Sequence, residues 1–132
     1  MAETQAVPAT GTFVWNELGT RDIETAKSLL TTLFGWKTED RNMGPEGTYT
    51  IFKSGEQQVA GGWELKGEKN QGKTTQWLSY IHVKNADVIV KSAERLGMKI
   101  NVPPTDIPDV GRFAVIEHAA IGVIGILEPK RM

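Results

Sequence analysis

The chain has 132 residues, 39% hydrophobic and 23% charged, which suits one compact domain or two small fused halves and excludes two large domains. Lys and Arg number 15 against 16 Asp and Glu, for a formal charge of -1. No run of like charges forms a basic stripe, so we expect no nucleic acid partner. The chain contains no cysteine, which excludes disulfides, thiolate metal ligands and a cysteine nucleophile.

The N-terminal stretch MAETQAVPATGT is polar and lacks the apolar core of a signal peptide. We expect residues 1–11 to form a flexible arm. No stretch of the chain approaches the length of a transmembrane helix. These features predict a cytoplasmic protein with no membrane partner.

The segment FVWNELGTRDIETAKSLLTTLFGW (13–36) runs from an apolar stretch into a helical pattern. Asp22 stands where an N-cap is expected, and apolar residues then recur at helical spacing up to Gly35, a natural helix stop. The segment WLSYIHVKNADVIVKSAERLGMKI (77–100) repeats this order, with Asn85 as the cap and Gly97 as the stop. The sequence therefore contains an internal repeat.

Each predicted helix is followed by a short extended segment and then by a pair of strands, TYTIFKSGEQQVAGGWEL (48–65) and RFAVIEHAAIGVIGILEP (112–129). Four residue pairs match at an offset of 64 positions: Tyr49 with Phe113, Ile51 with Val115, Val59 with Val123 and Trp63 with Leu127. Each half thus reads strand, helix, three strands. We expect modules at 12–65 and 77–129, joined by the polar linker 66–76 and followed by a short tail at 130–132.

Three stretches together resemble the vicinal oxygen chelate superfamily, which includes glyoxalases, bleomycin-resistance proteins and ring-cleaving dioxygenases. They are FVWNELGTRDIETAKSLLTTLFGW, YTIFKSGEQQVAGGWEL and WLSYIHVKNADVIVKSAERLGMKINVPPTDIPDVGRFAVI. The likeness covers residues 12–129, and the segment PPTDIPDVGRFAVI is similar to a branch of small glyoxalase-like proteins. The resemblance implies an α+β fold, in which two βαβββ modules form curved sheets around a shared cup-like cavity. It also implies a homodimer.

The resemblance further implies four metal-ligand positions, one on the first and one on the last strand of each module. Carried over to this chain, they fall on Trp15, Gly61, Leu78 and Gly125, none of which is a metal ligand. Glu17, two residues from Trp15, is the one good ligand among their same-face neighbours. We therefore expect no bound metal, with a divalent metal as the alternative.

His82 is a further candidate ligand, on the Leu78 face if strand alternation holds, or simply a hydrogen-bonded histidine near the cavity. Glu17 and His82 could form a general acid and base pair if they face each other. Alternatively, Glu17 is a solvated surface residue. His118, in the turn EHAAIG, is most simply a loop residue.

The cavity face is expected to carry Trp15, Trp63 and Tyr80 as ligand-binding aromatic walls. Packing between the modules is the other interpretation of the two tryptophans. Gly61 and Gly62 interrupt a predicted strand, and we interpret Gly61 as space left for a ligand, with Trp63 beside it.

Arg112 follows the DIPDVG loop and could bind a carboxylate or phosphate of a ligand. It could equally pair with Asp106 or Asp109. No phosphate-binding loop or dinucleotide fingerprint occurs, so we expect no nucleotide cofactor.

The function expected from these features is binding of a small organic molecule in an aromatic cavity without a metal, as the antibiotic-sequestering members of the superfamily do. The alternative is a lyase, isomerase or dioxygenase-like enzyme. Such an enzyme would be either metal-free, using Glu17 and His82, or dependent on a divalent metal. A purely structural module would not explain glycines at both final-strand positions.

Overall fold

A computed structural model describes residues 10–108 and 110–130 of the chain. Most of the predicted N-terminal arm and the last two residues of the predicted tail lie outside the described residues. Within them the order strand, helix, three strands occurs twice, which confirms the repeat. The elements are β1 Phe13–Thr20, α1 Ile23–Phe34, β2 Lys37–Asn42, β3 Thr48–Ser54, β4 Gln57–Glu64, β5 Gln76–His82, α2 Ala86–Arg95, β6 Lys99–Ile107, β7 Gly111–His118 and β8 Gly122–Pro129.

The chain divides into two compact units. Among the described residues, the first unit comprises 15–78, and the second comprises 10–14, 79–108 and 110–130. No helix in the described part of the chain combines the length and apolar composition needed to cross a membrane.

The sheet of the first unit has the strand order β2-β3-β4-β1, in which β4 runs parallel to β1 and the other neighbours are antiparallel. Its register places Glu17 beside Gly61 and Leu18 beside Gly62. Because side chains alternate along a strand, one face carries the buried Leu18, Phe52 and Ala60, and α1 lies over this face. The opposite face carries Glu17 and its same-face neighbours.

The sheet of the second unit repeats this order as β5-β8-β7-β6, with β5 parallel to β8 and Tyr80 beside Gly125. Helix α2 buries an apolar stripe on one face of this sheet. The resulting core consists of Val83, Ala86, Val90, Ala93, Ala114, Ile116 and Ile126. Removing these side chains from water supplies the main stabilisation of the unit.

Both helices begin at the predicted caps. The Asp22 carboxylate accepts a hydrogen bond from the Thr25 amide at 3.0 Å, and the Asn85 side chain accepts one from the Val88 amide at 3.1 Å. Gly35 ends α1 with a φ of 70°, in the left-handed region that glycine adopts without strain. The local capping signals in the sequence were therefore sufficient to place the helix starts.

A second pair of helix contacts was not anticipated from the sequence. Glu64, the last residue of β4, accepts a hydrogen bond from the Ile23 amide at 3.2 Å. Glu128, near the end of β8, accepts one from the Ala86 amide at 2.9 Å. In each unit a carboxylate on the last strand thus satisfies the first amide of the helix, where negative charge is favourable.

The segment expected to be a polar linker is fixed on the first unit by hydrogen bonds. Asn70 is buried, and its side chain donates to the Lys66 carbonyl at 2.6 Å. Arg21, just before α1, donates to the carbonyls of Lys73 at 2.8 Å and Asn70 at 3.1 Å. These contacts satisfy backbone carbonyls that a loose linker would leave to water.

Candidate functional site

The face of the first sheet opposite α1 brings three aromatic side chains together with one carboxylate. Trp15 and Glu17 lie on β1, Tyr49 on β3 and Trp63 on β4, and alternation together with the strand register places all four on the same side. All four are half-buried. We call this set of four residues the aromatic face.

A directed chain of hydrogen bonds links three residues of the aromatic face. The indole Nε1 of Trp15 donates to the hydroxyl oxygen of Tyr49 at 3.0 Å, and that hydroxyl donates to Oε2 of Glu17 at 2.9 Å. Burial, followed by the Glu17 charge, raises the pKa of Tyr49 well above its usual value. The phenol therefore keeps its proton and remains a donor to the carboxylate.

Gly61 lies directly beneath the Tyr49 ring. A Cβ added at Gly61 would overlap the hydroxyl end of that ring and come within 2.7 Å of Cε2. At Gly62, on the other face, a Cβ would come within 3.0 Å of Phe52 and 3.3 Å of Ile23. The expectation that these glycines leave open space is therefore wrong, because an aromatic ring fills the space at each position.

Gly125 in the second unit is also covered by a tyrosine ring, which here belongs to its register partner on β5. The ring of Tyr80 packs over it, and an added Cβ would lie 2.6 Å from Cε2. Tyr80 also contacts Phe113 edge-on, with ring centroids 6.4 Å apart. Both final-strand glycines thus allow a tyrosine ring to lie against the backbone.

His82 is buried at the end of β5, on the same face as Tyr80. Its backbone exchanges hydrogen bonds with Gly11 and Thr12, each at 2.8 Å. Its Nδ1 has no hydrogen-bond partner among the residues that the structure describes. Glu17 and His82 belong to different units, and their pairing as acid and base stays a prediction.

The sequence predicts for Arg112 either a contact with a ligand or an ion pair with a nearby acidic residue. In the structure Arg112 forms ion pairs. Its Nε and Nη2 donate to the two carboxylate oxygens of Asp87 at 2.9 and 3.1 Å, and Nη1 donates to Asp106 at 2.9 Å. These contacts raise the pKa of Arg112 and lower that of Asp87. Asp109, the other suggested partner, lies outside the described residues.

A pocket of about 310 Å³ borders Arg112, and its lining includes Gly111 and Glu128. The guanidinium group is already engaged by two carboxylates, so its role in ligand binding stays a prediction.

His118 ends β7 at an exposed turn, where its Nδ1 accepts a hydrogen bond from the Ala120 amide at 3.0 Å. The Ile121 amide also donates to the His118 carbonyl at 3.1 Å. These bonds close the connection between β7 and β8, so the structure gives His118 a turn-forming contact.

The residues present do not fit the metal site that the resemblance implied. Trp15, Gly61, Leu78 and Gly125 supply no donor side chain, and tyrosine rings cover both glycines. Within residues 10–108 and 110–130, no group of three or more histidine or acidic side chains is placed to hold an ion.

Tyr49 is the site residue that the sequence reasoning did not select. Its match with Phe113 marks it as part of the repeat and gives its hydroxyl no role. The signal was present, since Tyr49 has the strand parity that brings it beside Gly61 and Trp63. Only the three-dimensional structure shows its contact with Glu17.

Comparison with known proteins supports the fold and the relationship. No family model matches the chain. CFP32 of Mycobacterium tuberculosis, named as a glyoxylase, is 30% identical over 123 residues, which are 93% of this chain and 46% of that protein. The anthracycline biosynthesis protein DnrV of Streptomyces peucetius is 28% identical over 123 residues, which cover 85% of this chain and 45% of DnrV. The chain therefore spans about half the length of these relatives.

Solved structures share the fold at low sequence identity. Methylmalonyl-CoA epimerase of Mycobacterium tuberculosis aligns with a TM-score of 0.63 at 12% identity, covering 96% of this chain and 95% of the epimerase. The Mn(II)-bound glyoxalase of Novosphingobium aromaticivorans aligns with a TM-score of 0.57 at 14% identity, covering 93% of this chain and 42% of that one.

The paired βαβββ fold and these relatives define a glyoxalase-like protein. These relatives and structural neighbours agree with the resemblance of the sequence to the vicinal oxygen chelate superfamily.

Proposed function

We propose that this protein binds a small organic molecule on the aromatic face of its first unit, without a bound metal. The observation that carries the proposal is the hydrogen-bonded chain from Trp15 through Tyr49 to Glu17. It fixes two aromatic rings and a carboxylate relative to one another on a single sheet face. Rings supply binding area and polar groups fix the orientation of a ligand, which is the usual composition of a small-molecule site.

Preorganisation of this face favours binding. Tyr49 is held at its hydroxyl by Trp15 and Glu17 and at its ring by the Gly61 backbone. A side chain that is already fixed loses little conformational freedom when a ligand arrives, so more of the contact energy contributes to affinity. The relatives give further support, because a glyoxylase and an anthracycline biosynthesis protein are both named for small organic molecules.

Tryptophan fluorescence tests the proposal directly. Protein titrated with a panel of small aromatic and carbonyl compounds should show quenching or a spectral shift with at least one compound. Trp63→Phe should reduce that response, because it removes a reporter from the aromatic face. Trp36→Phe is the matched control, since Trp36 packs between Phe34 and Phe52, on the α1 side.

Two results would contradict the proposal. One is a panel in which no compound changes the emission. The other is a response that persists undiminished in both Trp15→Phe and Trp63→Phe. A stoichiometric divalent ion in protein purified without chelators would contradict the metal-free part alone.

An enzyme of the lyase or isomerase type is the second candidate, and the placement of Glu17 favours it. Oε2 of Glu17 accepts a hydrogen bond from the Tyr49 hydroxyl at 2.9 Å, and the Glu17 side chain is half-buried. A carboxylate held in this way can act as a base that removes a proton from a bound molecule. His82 would be the partner acid in that proposal. Glu17→Gln should then abolish turnover while ligand binding persists, whereas unchanged turnover would exclude Glu17 as the base.

We also propose that the chain works in the cytoplasm as a homodimer, in line with the superfamily resemblance. Sedimentation velocity at micromolar concentration should give a mass near twice the 14.5 kDa of the chain. A monomer across the concentration range would exclude the dimer and leave the binding proposal intact.

A further inference from the structure

Arg41 and Trp63 lie on either side of Tyr49 in one row across the first sheet. The strand register pairs Arg41 of β2 with Tyr49 of β3, and Tyr49 with Trp63 of β4. Register partners on neighbouring strands point to the same side of a sheet, so all three side chains lie on the side of the aromatic face. Burial and the Glu17 charge raise the pKa of Tyr49, and the Arg41 charge acts in the opposite direction. The guanidinium is therefore close enough to act on the phenol.

The two outer residues of this row keep hydrogen-bond donors that the described structure does not use. Arg41 donates from Nε to Oε2 of Glu39 at 3.1 Å, and its terminal nitrogens Nη1 and Nη2 have no partner within residues 10–108 and 110–130. The indole N–H of Trp63 likewise has no acceptor in the described part of the chain. The terminal edge of a guanidinium presents two parallel N–H groups, which match the two oxygens of a carboxylate.

The charges on this side of the sheet do not cancel. Three cationic and two acidic side chains of β1, β2 and β3 lie on it, which leaves one positive charge: Lys37, Arg41, Lys53, Glu17 and Glu39. Glu39 binds both Lys53, at 2.8 Å, and Arg41, at 3.1 Å, so one carboxylate serves two cations. Glu17 accepts the Tyr49 hydroxyl and has a further interaction in the described structure. An anion that approaches the row therefore meets unused donors and a net positive charge.

From this arrangement we infer that the ligand is a flat organic acid, bound as its carboxylate with its two oxygens on the terminal nitrogens of Arg41. Its flat part packs on the rings of Tyr49 and Trp63. The Tyr49 ring lies against the Gly61 backbone, which keeps this surface low enough for a flat molecule. Charge-assisted bidentate pairs of this kind are stronger and more directional than neutral hydrogen bonds. The inference rests on the proposed function and names the class of molecule bound at the same site.

The test uses three probes that share a flat skeleton and differ in charge: cinnamate, cinnamamide and cinnamylammonium. Two-dimensional ¹H–¹⁵N spectra report the four indole N–H signals of the protein, assigned by single Trp→Phe variants. Cinnamate should shift the signal of Trp63 and leave that of Trp36 in place. It should bind at least about tenfold more tightly than cinnamamide, and cinnamylammonium should bind least tightly of the three.

Arg41→Gln is the decisive variant, and Lys37→Gln is its matched control. Each replaces an exposed cation of β2 by the same neutral residue on the same side of the sheet, so the net charge falls equally. Arg41→Gln should reduce the preference for cinnamate over cinnamamide to within about twofold. Lys37→Gln should keep most of the preference, and added salt should remove the small loss, because that loss is a long-range charge effect.

Arg41→Lys separates the guanidinium from its charge. Lysine keeps the positive charge but lacks the two parallel N–H groups, so this variant should also lose most of the preference. Indole signals that stay in place in the ligand-free variants show that the fold is kept.

The possible outcomes separate the two proposals. If cinnamamide or cinnamylammonium binds beside Trp63 as tightly as cinnamate, the ligand class is wrong and the binding function stands. If Arg41→Gln keeps the full preference, or Lys37→Gln loses as much of it in added salt, the assignment to Arg41 is wrong. If none of these probes or the compounds in the fluorescence panel affects Trp15 or Trp63, the proposed binding face fails as well.

Discussion

Replacing Gly61 by alanine should destabilise the first unit, because the added methyl group collides with Tyr49. The ring must leave its place over the backbone, and the hydroxyl then loses its bonds to Trp15 and Glu17. Overpacking costs about 1–3 kcal/mol, and loss of a hydrogen bond to a charged group costs about 1.5–3 kcal/mol. The free energy of unfolding should therefore fall by roughly 3–5 kcal/mol in total.

Urea unfolding measures this loss, and a double-mutant cycle assigns its cause. Tyr49→Val removes the ring while keeping a good strand former. In that background Gly61→Ala should cost almost nothing, or stabilise by up to about 1 kcal/mol, since alanine orders a strand at less entropic cost than glycine. The coupling energy between the two positions should then be about 3 kcal/mol or more.

A crossed control uses the second unit. Gly125→Ala should couple with a substitution at Tyr80 in the same way, because that ring lies over Gly125. Gly61 should show no coupling with Tyr80, and Gly125 none with Tyr49. Additive costs for Gly61 and Tyr49 would refute the reasoning, since they would mean that the glycine is needed for a reason other than the ring.

Three further predictions test other contacts. Thr50→Val should cost about 1 kcal/mol at pH 7, measured by urea unfolding, because it removes the 2.7 Å bond from the buried Thr50 hydroxyl to Asp40. The hydrogen bond from Thr50 is the largest cause of the lowered pKa of Asp40. The difference in unfolding free energy between wild type and the variant should therefore shrink as the pH falls through the pKa of Asp40 in the folded protein. A difference that stays constant with pH would contradict this. In Tyr80→Phe, the absorbance of the remaining Tyr49 phenolate at alkaline pH should appear only together with unfolding; ionisation near the usual pKa in folded protein would refute the burial argument. Asn85→Ala should lower the thermal midpoint through the loss of about 1 kcal/mol at the α2 cap, whereas Asn85→Asp should keep most of it, and equal losses would exclude capping as the cause.

The repeated fold was accessible from the sequence because its signals are local. Capping residues such as Asp22 and Asn85, and a stop at Gly35, mark the helices wherever the rest of the chain lies. Strand alternation also predicts that Trp15, Glu17 and Trp63 share one face of the sheet, as the strand register shows. These features depend on neighbours within a few residues, so a single sequence contains them.

The contents of the site were harder to predict because they depend on which strands lie side by side. Gly61 was interpreted as open space, since nothing in its own strand shows that Tyr49 of β3 lies over it. Arg112 was left with two possible partners for the same reason, and its bonds to Asp87 join residues that are 25 positions apart. Local sequence propensities do not predict long-range packing of this kind.

The carboxylates at Glu64 and Glu128 suggest how freely this protein can be redesigned. They keep the same helix contact in both units, while the positions of Glu17 and Tyr49 hold Tyr80 and Phe113 in the other unit. One side of each sheet therefore has the same helix contact in both units, and the other side differs in chemistry between them. A designer could exchange side chains of the diverged surface for a new ligand while leaving the helix contacts of the other surface unchanged.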